Sequence, residues 1–133
     1  MTLDRDQLRA FAQRYTAAWC SQDPQRVAAC YSPQGSLTIN RGQAAVGRDK
    51  IAHAAQSFMS AFPDMRVAMD DLRLVGGSPQ YHWTLTGTNT GPGGSGRNLC
   101  ISGFEVWTIG GDGLIASSHG HFDEADYERQ LRG

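Results

Sequence analysis

The residues most suited to chemistry lie near the end of the chain, in His119-Gly-His121-Phe-Asp123. Side chains alternate faces along a strand, so a regular strand here points His119, His121 and Asp123 the same way, with Ile115 and Ser117 behind them. Two imidazoles and a carboxylate on one face can move protons near neutral pH. The same trio has the composition of a metal site, since neighbouring same-face strand positions lie about 7 Å apart. A third alternative is a polar face turned to water, as antiparallel strands often show. Nowhere else does the chain place two histidines and a carboxylate so close together.

The elements that must position this trio follow from periodicity. Asp4 with Gln7 forms a capping-box start, and Leu8, Phe11, Tyr15, Ala18 and Trp19 form an apolar stripe, which predicts a first helix over about 4–20. Asp23-Pro24 starts a short second helix that Tyr31-Ser-Pro-Gln-Gly breaks, and strands follow near Ser36–Ile39 and Ala44–Val46. Ile51, Ala54, Ala55, Phe58, Met59 and Phe62 mark a third helix from Gly47 to about Phe62, stopped by Pro63. The period then switches to two. Four strands are predicted, with a bulge at Asp70-Asp71, a loop at Gly91–Gly96 and a tight turn at Gly110–Gly113. Asp123–Leu131 adds a short terminal helix.

Helices segregated from consecutive hairpins give an α+β fold. A curved mixed or antiparallel sheet wrapped around the N-terminal helices makes a cone with a central pocket. At 133 residues with 40% apolar content, the chain reads as a single domain, 1–133. The net charge of −1 and the lack of a basic run give no case for nucleic acid, and no apolar run reaches membrane-spanning length. Cys20, Cys30 and Cys100 follow no zinc or redox spacing and are expected to be reduced, mostly buried thiols of a cytoplasmic protein.

Longer stretches carry a family likeness. Gln13-Arg14-Tyr15-Thr-Ala-Ala-Trp19 before Asp23, Phe62-Pro63-Asp64-Met65, Trp83-Thr-Leu-Thr-Gly87-Thr88-Asn89-Thr90-Gly91, and Phe122-Asp123 followed by Gln130-Leu131 resemble the nuclear transport factor 2-like superfamily. Within it the chain is most similar to SnoaL-like polyketide cyclases. That resemblance implies a cystatin-like α+β barrel and a cofactor-independent, metal-free enzyme in which a pocket aspartate near the end of the last strand removes an acidic α-proton, starting an intramolecular aldol closure. Asp123 matches that position, and His119 is its expected partner or electrophile. Asn89 stands where those cyclases typically carry His; an amide can donate to an oxyanion but cannot shuttle a proton. Ketosteroid isomerases share the fold, but the places of their two acids read Ile39-Asn40 and Gly103-Phe104 here, which rejects that chemistry.

The expected site therefore has Asp123, His119 and Asn89 as catalytic groups. Tyr15, Trp19, Phe58, Phe62, Trp83, Phe104, Trp107 and His121 are the expected substrate-binding set. Such an aromatic lining suits a flat, apolar, carbonyl-bearing ligand. The rival reading is a non-catalytic module that holds a small molecule or fills the same pocket with side chains. In either case a two-fold homodimer through the outer sheet face is expected.

Overall fold

The computed structural model describes residues 3–132. Helices α1 (Arg5–Cys20) and α2 (Pro24–Ala28) lead into strand β1 (Tyr31–Ile39) and the short β2 (Ala45–Val46). After α3 (Arg48–Ala61) come β3 (Arg66–Val75), β4 (Ser78–Thr88), β5 (Asn98–Ile109), β6 (Ile115–Phe122) and the terminal α4 (Glu124–Arg132). The strands form one six-stranded sheet in the order β2-β1-β6-β5-β4-β3. All neighbours are antiparallel except β1 and β6.

Local chemistry sets the element ends. The Asp4 carboxylate accepts from the Gln7 backbone at 2.8 Å while Gln7 answers the Asp4 N–H at 2.9 Å, so the capping box opens α1 as its sequence predicts. Asp23 accepts from Gln25 N–H and Pro24 stands at the first position of α2. β1 begins at Tyr31, earlier than Pro33 suggests. Its pairing with β6 skips from Tyr31 to Ser36, so the missing N–H of Pro33 costs no ladder bond. The bulge expected at Asp70-Asp71 is present as a register shift between Met69 and Asp71.

The core fills the concave side of the sheet. Leu8, Phe11, Tyr15 and Trp19 of α1 and Ile51, Ala55 and Met59 of α3 pack against Leu37, Tyr81, Leu85, Leu99, Ile101, Trp107 and Ile115. The three cysteines are free, but Cys20 and Cys100 are exposed and Cys30 is half-buried, contrary to the buried thiols expected. Cys20 lies at the last turn of α1 and Cys100 on the outward face of β5, beyond the core that each element covers. Among the described residues no helix is long and apolar enough to cross a membrane.

β6 ends at Phe122 opposite Gly103, which leaves the first residues of β5 without a strand on that side. Gln130 of α4 closes this edge. Its side-chain amide accepts from Cys100 N–H at 2.8 Å and donates to Cys100 C=O at 2.9 Å, as a neighbouring strand would. Gln130→Ala should therefore destabilise the protein by about 1 kcal/mol. An unchanged melting temperature would show that water serves this edge equally well.

Candidate functional site

On β5 the inward row reads Leu99, Ile101, Gly103, Glu105 and Trp107, four of them buried. Glu105 is a carboxylate in an otherwise apolar series. Gly103 has a positional role, because a Cβ there would lie 2.7 Å from the Trp83 ring and would also press on the His121 carbonyl. Its missing side chain lets the Trp83 indole lie across β5.

Glu105 is only 8% exposed, yet it is well supplied with donors. Its Oε1 accepts from Ser118 Oγ at 2.7 Å, Tyr15 OH at 2.9 Å and Trp107 Nε1 at 3.0 Å. Tyr15 OH also meets Tyr31 OH at 2.9 Å; with Tyr15 donating to Glu105, the proton of this second bond comes from Tyr31. All three donors converge on Oε1, and none among the described residues reaches Oε2. Burial raises the Glu105 pKa, and the bonds from Trp107, Ser118 and Tyr15 oppose it without cancelling it. Burial, followed by the charge of Glu105, likewise holds Tyr15 and Tyr31 well above the ordinary phenol range, so both stay protonated donors.

A cavity of about 60 Å³ lies over Glu105. Its wall is built by Trp19 of α1, Phe58 of α3, Leu37 and Ile39 of β1, Val67 of β3, Tyr81, Trp83 and Leu85 of β4, Ile101 and Glu105 of β5, Gly120 and Phe122 of β6, and Tyr127 of α4. Trp19 and Phe58 meet edge to face at 6.2 Å, and Phe122 lies 5.5 Å from Tyr127. The indole N–H groups of Trp83 and Trp19 are enclosed and meet no hydrogen-bond acceptor among the described residues. That of Trp19 is near enough to the Tyr15 hydroxyl to lower its pKa, but not in bonding geometry. Such enclosed donors call for an acceptor supplied by water or a ligand.

The expected trio stands elsewhere. His119 and His121 are exposed on the convex face, where His121 lies 4.9 Å from Phe104 and Phe104 stacks on His82 at 5.4 Å. The cause is a bulge: Thr108 pairs with Ser117 but Ile109 with Ile115, so Ala116 is an extra residue in β6. Ile115 faces the core as expected, and the inserted residue then turns Ser118, Gly120 and Phe122 inward and the two histidines outward. Asp123 is exposed beyond the strand end. Its carboxylate accepts from Asp126 N–H at 3.0 Å and its carbonyl from Tyr127 N–H, so it caps α4. Among the described residues no group of three His, Cys, Asp or Glu side chains could hold a metal ion.

Asn89 is also away from the cavity. It ties the β4–β5 loop to α3, donating to Ala61 C=O at 3.2 Å and accepting from Ser95 N–H at 2.7 Å. Of the expected binding set, the structure brings Trp19, Phe58 and Trp83 to the cavity wall. Tyr15 and Trp107 are wholly buried behind that wall as donors to Glu105, and Phe62 is wholly buried against Tyr127. Phe104 belongs to the convex face with the histidines.

Sequence reasoning passed over Glu105, although a signal was present. The period-two row that contains Leu99, Ile101 and Trp107 places position 105 inward. A carboxylate at an inward position must be paired or shifted in pKa. Gly103, at one of the two isomerase positions, precedes it by two residues on the same inward face.

Because burial raises the folded-state pKa of Glu105 above its ordinary 4.5, the native protein holds this proton more tightly than the unfolded chain. The stabilisation is complete below pH 4.5 and is lost as pH rises through the folded pKa. The stability of wild type relative to Glu105→Gln should thus fall as pH rises from 4.5, then level off. Denaturant titrations at several pH values check the sign, and a difference that grows with pH over this window contradicts it.

Comparison with solved structures places this geometry among related folds. TsrD from Streptomyces laurentii superposes with a TM-score of 0.82 at 24% identity, covering 98% of each chain. SalBIII, an epoxide hydrolase/cyclase-like enzyme with a role in pyran ring formation in the polyether salinomycin, gives 0.79 at 15% identity over 92% of this chain and 95% of that one. A protein with a ketosteroid isomerase-like fold from Catenulispora acidiphila DSM 44928, in complex with trimethylamine, gives 0.79 at 14% identity over 92% of each. No curated protein matches the sequence. The family model of the SnoaL-like polyketide cyclases matches residues 9–131, from α1 to the end of α4, and the chain belongs to that family.

Proposed function

We propose that this protein is a small acid/base enzyme that takes an apolar, carbonyl-bearing molecule into the cavity, with Glu105 as the proton-transferring group. The observation that carries the reading is the buried Glu105 carboxylate, held by three donors on Oε1 with Oε2 left to the cavity. A carboxylate whose pKa burial has raised is a stronger base than a solvated one. In the proposed step Oε2 takes a proton from the carbon beside a carbonyl, leaving an enolate and a neutral Glu105. The enclosed Trp83 N–H donates to the enolate oxygen. The enolate carbon then attacks a second carbonyl of the same molecule, and Glu105 returns its proton to the new alkoxide. This is the aldol closure of a polyketide cyclase, and it requires no cofactor.

The small cavity favours a second reading, a binding module without turnover: it does not enclose a polyketide of three or four fused rings. One experiment decides. 2-Tetralone has acidic protons beside its carbonyl, and their exchange in deuterium oxide is followed by proton NMR. Wild type should accelerate exchange, Glu105→Gln should lose about 10²–10⁴ of that rate, and Asp123→Asn should retain it. Equal exchange by wild type and Glu105→Gln defeats the acid/base reading, and binding without exchange selects the module.

We also propose a two-fold homodimer through the convex face, where Phe104 lies half-buried between His82 and His121. Light scattering should give twice the 14.5 kDa chain mass at micromolar concentration. A monomer mass there refutes the pairing.

A further inference from the structure

One row crosses the concave face at the level of the carboxylate. Ile39 of β1 stands beside Gly120 of β6, Gly120 directly opposite Glu105, and Glu105 opposite Tyr81 of β4. All four residues line the cavity, and the row has one gap, at Gly120.

The backbone does not require glycine there. Gly120 has no positive φ, and a Cβ would meet only Glu105 Cγ at 3.6 Å and Thr38 C=O at 3.7 Å, both ordinary contacts. Two other glycines of the sheet differ. A Cβ on Gly35 would lie 2.8 Å from the Ile115 carbonyl, and one on Gly103 would collide with the His121 carbonyl and the Trp83 ring. Those two are demanded by packing. Glycine inside a strand costs conformational entropy and contributes no packing. At position 120 that cost has no local return. What the missing side chain leaves is open volume against Glu105, in the wall of an apolar cavity.

We infer that Gly120 is a specificity-determining residue: the space above it seats the part of the ligand that contacts Glu105, and its missing side chain sets the largest group that can reach the carboxylate. This rests on the cavity being a ligand site, as proposed above, and adds which ligands it admits. Bicyclic ketones need the space over Gly120, whereas a single six-membered ring fits beside it.

The test uses Gly120→Ala with cyclohexanone and 2-tetralone as probes. The indole N–H signals of Trp19 and Trp83 in nitrogen-15-labelled protein report occupancy. Wild type should bind both ketones. Gly120→Ala should melt at or above the wild-type temperature, bind 2-tetralone at least tenfold more weakly, and change cyclohexanone binding less than threefold. Gly120→Val should extend the loss to cyclohexanone. A clearly lowered melting temperature for Gly120→Ala makes the glycine structural and overturns the inference. Unchanged binding of 2-tetralone, or equal weakening of both ketones, overturns it as well. Wild-type binding without proton exchange, together with size-selective loss in Gly120→Ala, defeats the acid/base reading and leaves this inference standing. Failure of wild type to bind either ketone defeats both.

Discussion

The bond from Tyr15 to Glu105 joins the helical layer to the sheet, and much of the molecule is arranged around it. Tyr15 reaches down from α1, Tyr31 comes from β1, Trp107 shares β5 with the glutamate, and Ser118 comes from β6. Three elements thus meet at one carboxylate oxygen, and β1 joins them through the bond between Tyr31 and Tyr15. A buried carboxylate without such partners would be expensive. Here the chain Tyr31 to Tyr15 to Glu105 aligns successive hydroxyl dipoles, and in a low-dielectric interior each bond strengthens the next. The aromatic rings that carry these donors also pack on one another: Tyr15 stands edge-on to Trp107 at 5.1 Å, and Trp107 stacks on Tyr81 at 5.0 Å. Polar satisfaction and apolar packing are supplied by the same side chains.

This arrangement separates what holds Glu105 from what Glu105 faces. The donors stand behind the wall, in the core, and the far side of the carboxylate opens on a cavity lined almost wholly by carbon. Tyr15 and Tyr31 cannot release their protons near neutral pH, since burial and the adjacent carboxylate oppose ionisation. They orient and stabilise. The glutamate differs from them: its burial outweighs its donors and moves it toward neutrality. A preorganised group of this kind does not have to reorient when charge changes in the cavity.

The outer surfaces have their own logic. Asp123 and Gln130 together dock α4 at the end of the barrel, one by capping the helix and the other by filling the unpaired edge of β5. That docking brings Tyr127 over the cavity beside Phe122. The histidines and Phe104 form an aromatic row on the opposite face. Residues near the end of the last strand therefore contribute to the site through the helix they anchor and through Phe122.

Much of the architecture was legible in the chain by itself. The capping box at Asp4, the Asp23-Pro24 start, the apolar stripes of α1 and α3, and the alternation along β4 and β5 are local signals, and local backbone preferences and burial periods act through near neighbours. They determined the order of elements, the α+β class and the aromatic supply of the cavity. The family likeness was legible for the same reason, since it rests on linear stretches that run the length of the chain. Which residues face the cavity was decided only in three dimensions. One extra residue at Ala116, forced by how β6 aligns with β5, reverses the parity of everything after it. Period two then predicts the wrong face for His119 and His121, however well it describes the strand. Glu105 was readable as an inward acid, but its importance depends on Tyr15, Tyr31 and Ser118, which lie 90, 74 and 13 positions away along the chain. No local pattern encodes that convergence; it exists only once the sheet has curled and α1 has closed over it.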